Sequence, residues 1–265
     1  MKKIFITALL FCSLVNFAQD RQFTYTYQSN VLAKGQKELE VWSTMRNIRN
    51  NYYRGIDHRF EFEVGFGAKL QTAFYLNYGY STAVENNNNL DLIVDKTSFS
   101  FANEWKLKLS DPVANAFGSA IYFEYKIGSE EIELESKLIF DKQIGKTVQA
   151  FNITHEFEME KEFSQVGNSI EVENERENKL DLNYGLAYKL NENLAFGCEA
   201  MNHNIFDNGE WEQSIFSAGL GLSYNFEGFW VNLTCMPQIT NFKTGNLELS
   251  ENEKVKTRLI FSYVF

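Results

Sequence analysis

The sequence predicts an all-β fold, a transmembrane, antiparallel, up-and-down β-barrel of about twelve strands. Three observations point there. Apolar residues recur with a period of two through almost the whole chain, which is the side-chain period of a strand. The apolar face of these segments carries no Asp, Glu, Lys or Arg, although such residues make up 23% of the chain. The connections alternate between short turns and longer loops, so that the short ones gather at one end. After the N-terminal run, no stretch reaches the roughly 18 apolar residues that a membrane helix needs. A chain that crosses a bilayer without such a helix must close a sheet on itself, because lipid offers no partner to an open edge.

In chain order, Lys2 and Lys3 precede an apolar run from Ile4 to Phe17 and a short exit at Ala18-Gln19. This is the layout of a secretory signal peptide, expected over residues 1–18. Cys12 lies inside the apolar run behind the bulky Phe11, which argues against a lipid-anchor site. Residues 19–35 are expected as a periplasmic lead-in, with Phe23, Tyr25 and Tyr27 alternating with Thr24 and Thr26. The barrel is expected over residues 36–265.

The predicted strands are 36–47, 57–66, 68–80, 95–109, 117–127, 130–140, 146–159, 177–190, 193–204, 213–226, 228–239 and 254–265. In the first, Leu39, Val41 and Ser43 oppose Glu38, Glu40 and Trp42; in the second, Phe60, Phe62 and Val64 oppose Arg59, Glu61 and Glu63. The third to seventh alternate in the same way, with Glu104-x-Lys106, Glu124-x-Lys126 and Glu135-x-Lys137 on their polar faces. The eighth is the clearest, with Leu180, Leu182, Tyr184, Leu186, Tyr188 and Leu190 on one face. The ninth to eleventh follow, and the tenth has Ser217, Gly219, Gly221 and Ser223 on its polar face. The last strand sets Leu259, Phe261, Tyr263 and Phe265 against Lys256, Arg258 and Ser262. Short connections are expected at 66–68, 111–117, 142–146, 191–193 and 227–228. Longer loops are expected at 47–55, 81–95, 160–176, 204–212 and 241–253, with Gly128-Ser129 the exception.

The segments Phe23-Thr24-Tyr25-Thr26-Tyr27, Leu32-Ala33-Lys34-Gly35, Glu38 to Thr44, Tyr52-Tyr53-Arg54 and Asp57 to Gly65 resemble an uncharacterised family of bacterial outer-membrane barrels, over about residues 23 to 79. The last strand, ending on Phe265, also resembles the closing strand of such barrels, where a C-terminal aromatic is the assembly signal. The resemblance implies an outer-membrane location, contact with outer-membrane lipid and lipopolysaccharide, and recognition of the C-terminal strand by the barrel-assembly machinery. It brings no activity and no catalytic residues.

The chain is acidic, with net charge −10, which excludes nucleic acid as a partner, since phosphate binding needs a basic footprint. Cys198 and Cys235 fall on apolar faces and are expected as small buried hydrophobes. The inward face holds acids and bases near balance. One reading is a self-neutralising ion-pair network that fills the lumen; the other is a narrow channel or binding barrel for a small polar solute. The lumen-lining binding candidates are Glu38, Glu40, Arg46, Arg59, Glu61, Glu63, Lys256 and Arg258, with the four glutamates expected to face Lys254, Lys256 and Arg258 across the first–last seam. Arg46, Arg49 and Arg54 are candidates for lipopolysaccharide phosphate. No cofactor is expected, and His58 and His203 lie on different strands with no third metal ligand in view. A lipid-modifying enzyme would need a serine near the lipid-facing His155. Ile132 is expected opposite that histidine and Ser136 several residues away, so no catalytic residue is assigned. A structural or surface-interaction barrel is the remaining alternative.

Overall fold

The alternation closes into one sheet. The structure, a computed structural model, describes residues 21–87, 90–129, 131–166, 169–207 and 209–265; the expected signal peptide at 1–18 lies outside them. The strands are β1 (Lys37–Asn47), β2 (Tyr53–Gly65), β3 (Leu70–Asn87), β4 (Leu90–Ser110), β5 (Gly118–Gly128), β6 (Glu131–Ile144), β7 (Thr147–Val166), β8 (Ser169–Lys189), β9 (Leu194–Asp207), β10 (Glu210–Phe226), β11 (Phe229–Asn241) and β12 (Val255–Val264). Each pairs antiparallel with the next, and β1 pairs with β12 to complete a closed barrel. The last rung is made by the terminal residue itself. Lys37 N donates to Phe265 O at 3.0 Å and Phe265 N to Lys37 O at 2.9 Å. No backbone edge is left for lipid to meet.

The outward face is apolar and exposed, with Leu39, Val41, Phe60, Phe74, Leu76, Phe101, Leu138, Leu182 and Leu222 among its members. At the short-turn end aromatic rings pack against one another, as in Phe66–Trp105, Phe226–Phe229 and Tyr263–Phe265. Such a girdle suits the interface between hydrocarbon and headgroups. Cys198 and Cys235 are free and exposed on this outer face, rather than buried. Their place on the outward apolar face explains their apolar setting without protein burial.

The structure departs most from the predicted elements in three places, and to a lesser extent at 204–212, where β9 and β10 stay paired out to Asp207 and Glu210. Segments 81–95 and 160–176 are not loops. β3 and β4 stay paired out to Asn87 and Leu90, and β7 and β8 out to Val166 and Ser169. β5 leaves β4 at Gly128 and β6 leaves β7 at Glu131, so both hairpins project beyond their neighbours. These stretches mix polar and apolar residues on both faces, with Glu85 and Asp95 on opposite faces of one hairpin and Glu160 and Lys161 on those of the other, and therefore lack the one-sided pattern that marks a spanning strand.

The third departure concerns residues 19–35. From Arg21 to Leu32 the chain does not precede the barrel as a separate lead-in but lies inside it, with Phe23, Thr24, Thr26, Ser29 and Leu32 buried. After Leu32 it turns through Gly35, at φ +81°, into β1. Gly65 makes room for that turn, since a Cβ there would collide with the Ala33 carbonyl.

Candidate functional site

The plug, residues 21–32, has no strand to pair with, so the walls satisfy its backbone through side chains. The Glu199 carboxylate on β9 accepts Thr24 N at 2.9 Å, Tyr25 N at 2.8 Å and Thr26 N at 2.8 Å, together with the hydroxyls of Thr24 and Thr234. Asn152 on β7 holds both sides of one residue, accepting Tyr27 N at 2.6 Å and donating to Tyr27 O at 2.9 Å. Asn183 Nδ2 donates to Tyr25 O, Asn232 Nδ2 to Arg21 O, and Leu32 N donates to Gln71 Oε1. Phe23 packs on Val148, Ala150 and Ala187. The wall is small there for this reason; a Cβ on Gly185 would lie 2.8 Å from the Phe23 ring. Arg21 is held between the rings of Tyr27 and Trp42, with 4.6 Å to each centroid.

Above the plug the lumen opens into a vestibule of about 660 Å³, with Tyr25 and Tyr27 among its lining residues. Its walls differ in sign. On β12, β1 and β2 it is lined by Lys256, Arg258, Arg46 and Arg59 against Asp57. On β6, β7 and β8 it is lined by Glu131, Glu133, Glu135, Glu156, Glu158 and Asp181 against Lys137 and Lys179. In a ring of twelve, β7 stands opposite β1. A basic wall therefore faces an acidic one. Lysines are clamped within the acidic side: Lys179 lies 2.9 Å from Glu156 and 3.3 Å from Glu177 and also meets Glu158, while Lys126 meets Glu131 at 3.1 Å and Glu133. Arg258 has no carboxylate partner among the described residues. It donates to Thr44 Oγ1 at 2.9 Å and Thr24 O at 3.3 Å and stacks on Tyr25.

All eight binding candidates point inward, but in two separate groups. Glu38, Glu40, Glu61 and Glu63 sit at the plugged end, whereas Arg46, Arg59, Lys256 and Arg258 line the vestibule. The expected seam pairs do not form. Glu38 faces Val264 and Glu40 faces Ser262, while Lys256 faces Arg46 and Arg258 faces Thr44. Antiparallel pairing sets the start of β1 against the end of β12, so acids at one end of this ladder and bases four to eight rungs further along it cannot meet. The plug-binding set Asn152, Asn183, Glu199 and Asn232 had no assigned role in the sequence; its signal was polar residues in the middle of inward faces, three of them beside the small residues Ala150, Gly185 and Gly197.

At the outer rim, Glu253 in the β11–β12 loop is buried and gathers Arg49, Arg46 at 3.4 Å and Lys256 at 3.8 Å. Burial raises its pKa, but Lys256 and the two arginines outweigh that and hold the carboxyl below its ordinary value. Arg46 also pairs with Asp57 at 2.7 Å. Both arginines are thus engaged within the protein itself.

On the lipid face, Ser136 stands directly opposite His155, not several residues away, because the β6–β7 turn is tighter than expected and Ile144 pairs with Thr147. His155 Nε2 lies 3.2 Å from Asn178 Oδ1. His58 bonds Ser43 across strands, and His203 Nδ1 lies 2.6 Å from Asp181 Oδ1.

Solved structures with this architecture include the COG4313 outer membrane channel from Pseudomonas putida F1, at 9% identity and TM-score 0.63, covering 89% of this chain and 98% of that one. The β domain of the Bordetella autotransporter BrkA is similar at 9% identity and TM-score 0.59, covering 88% and 100%. The KdgM porin is similar at 10% identity and TM-score 0.54, covering 86% and 99%. At such identities the likeness is one of fold, and a fold shared by channels and autotransporters does not select between them. No curated protein matches the chain in sequence. The model of a family of unknown function, DUF6662, matches residues 15–265.

Proposed function

The chain belongs to this DUF6662 family of unknown function, and we propose that it is an outer-membrane barrel that binds small polar solutes in its vestibule and passes them when the plug shifts. The observation that carries the reading is the stacking of an open, charged cavity of about 660 Å³ directly on a plug fixed by side chains rather than by a ladder. Side-chain tethers can be released one at a time, whereas a strand within the sheet cannot leave without breaking the barrel. The opposed basic and acidic walls favour solutes that carry both signs of charge, which they orient across the lumen.

The test is conductance of the refolded full-length chain in planar bilayers. Wild-type protein should show a low, intermittent conductance, and Glu199→Gln, which weakens the central tether, should raise the open fraction. A steady large conductance in wild type would sink the plugged reading.

A second reading, a lipid-directed acyl hydrolase, is favoured by one observation, the row of Ser136, His155 and Asn178 on adjacent strands facing lipid. Such a row has the residue types of a nucleophile, a base and an orienting group. Covalent labelling of Ser136 by a fluorophosphonate in detergent would support it. Absence of labelling in folded protein would dismiss it.

A further inference from the structure

We propose that the inward carboxylates at the foot of β1 and β2 form a calcium site. Glu40 stands opposite Glu61 and Glu38 opposite Glu63 in the β1–β2 register. Like charges directly across a ladder repel, and burial deprives them of water that would screen the repulsion. All four are buried, with Glu61 only 2% exposed. Cations within the protein offset them only in part: buried Lys106 shares the lining of the adjoining cavity with Glu63 and Glu104. Arg21 Nη1 reaches Glu40 Oε2 at 3.5 Å, while Arg59 has turned to Glu124 at 3.8 Å.

The carboxylates are anchored as ligands are, by one oxygen to the wall. Glu38 Oε1 accepts Trp230 Nε1 at 2.7 Å and the Ser262 hydroxyl; Glu40 Oε2 accepts Trp42 Nε1 at 2.6 Å; Glu63 Oε2 accepts Gln71 Nε2 at 2.8 Å. These bonds fix the direction in which the remaining oxygens point. Glu38 Oε2 and Glu61 Oε2 are buried without a hydrogen-bond partner. One oxygen from each of Glu40, Glu61 and Glu63 lies within 4.8 Å of the others. A calcium ion bonds oxygen at roughly 2.3–2.6 Å, so it spans oxygens up to about 5 Å apart.

The donor set selects the ion. It is all oxygen and anionic, which suits a hard cation and not zinc or copper. Magnesium keeps several of its waters, and the adjoining cavity, lined by Glu63, Gln71 and Glu104 together with Arg21 and Lys106, measures only about 10 Å³. That is room for about one water. Calcium accepts such a site because its geometry is flexible. The other carboxylate cluster, Glu133, Glu156 and Glu158, differs, since the ammonium groups of Lys126 and Lys179 already lie among its oxygens. It serves as an internal control.

Two indoles bonded to the site provide the readout. Terbium, a luminescent substitute for calcium, should give tryptophan-sensitised emission when added to chelator-treated, refolded full-length protein, through Trp42 and Trp230. Emission should saturate, and calcium should displace it. Glu61→Gln should weaken terbium binding at least tenfold, and Glu156→Gln should leave it unchanged, with folding of each checked by heat-modifiable gel mobility. Calcium should also raise the unfolding midpoint of wild type, with magnesium having a smaller effect. Absence of calcium-displaceable emission in folded wild type would overturn the proposal, as would full affinity in Glu61→Gln. Should that variant not fold, an equal wild-type midpoint in calcium and in chelator overturns it equally. Stability that rises on mild acidification but not with calcium would mean that protons neutralise the cluster, and would also overturn it.

Discussion

The two halves of the lumen are built from the same alternating strands and have opposite interiors. At the short-turn end, the walls offer Ala, Gly, Asn, Gln and a few carboxylates, and many of the polar groups meet the plug or a neighbour, the carboxylates at the foot of β1 and β2 being the exception. At the outer end, long charged side chains extend from both walls and leave a cavity. The difference is not in the barrel but in what twelve residues of chain add to one half of it. A lumen packed by a plug needs small, polar, precise side chains; a lumen left open is lined by ones long enough to reach each other.

The largest test of this contrast is removal of the central tether. Glu199→Ala leaves three buried N–H groups without an acceptor, each worth about 1–3 kcal/mol, so plug docking should weaken by about 3–5 kcal/mol. Hydrogen exchange at Thr24, Tyr25 and Thr26 should accelerate strongly while amides in the β1–β12 ladder keep their protection. Equal acceleration in both would mean that plug and barrel are one cooperative unit.

Arg258 sits where the halves meet, on Tyr25 and Thr24 from below and in the vestibule above. Arg258→Ala should cost about 2 kcal/mol through the lost hydrogen bonds and ring contact. Since Glu40 does not face it, Arg258→Ala and Glu40→Ala should be additive within about 0.5 kcal/mol in urea midpoints. A clear rescue in the double variant would restore the seam pairing that the register denies.

At the plugged end's rim, Phe265 is half exposed and its ring contributes little burial. Phe265→Ala should cost about 1 kcal/mol in detergent-refolded protein yet sharply reduce the folded fraction in cells, if the terminal aromatic is read during assembly. Equal losses in both settings would remove the assembly role.

The smallest expected effect compares the two rims by pH. Glu253 has a depressed pKa in the folded state, so its contribution is present above the ordinary glutamate value and is lost as pH falls through the lower one. Asp111, in the β4–β5 turn, is lowered to about 2 by Lys108 and by the Ala114 and Val113 N–H groups. Between about pH 4 and 2 the turn should loosen too, with little effect on stability because the group is largely exposed. Melting curves of Glu253→Gln should lose the acid dependence at the outer rim; an unchanged acid limb would show that this cluster is not the group responsible.

Much of the barrel was legible because lipid imposes a one-sided rule. Leu180 to Leu190 or Phe216 to Phe226 can satisfy it only as strands, and the strand number follows. Where lipid ends the rule ends, which hid the outer parts of β3, β4, β7 and β8. The plug was hidden for another reason. Phe23, Tyr25 and Tyr27 alternate as a strand would, yet the backbone partners of Tyr25 and Tyr27 are Glu199, Asn183 and Asn152, more than a hundred residues away and silent in any local pattern. The seam pairs and the Ser136–His155 pair depended on register, which one residue of turn length shifts.

The plug's tethers also set an order of events. Thr24 is 175 residues from Glu199 in sequence, and the other wall groups holding it come from β3 through β12. The segment leaves the ribosome before any of the strands that receive it. It has no seat until the last strands exist, so a segment made before every strand of the barrel is among the last to find its place. A polypeptide that must wait in this way is best kept short, polar and without a strand partner of its own, and Arg21 to Leu32 has the first two properties in its sequence and the third in its structure.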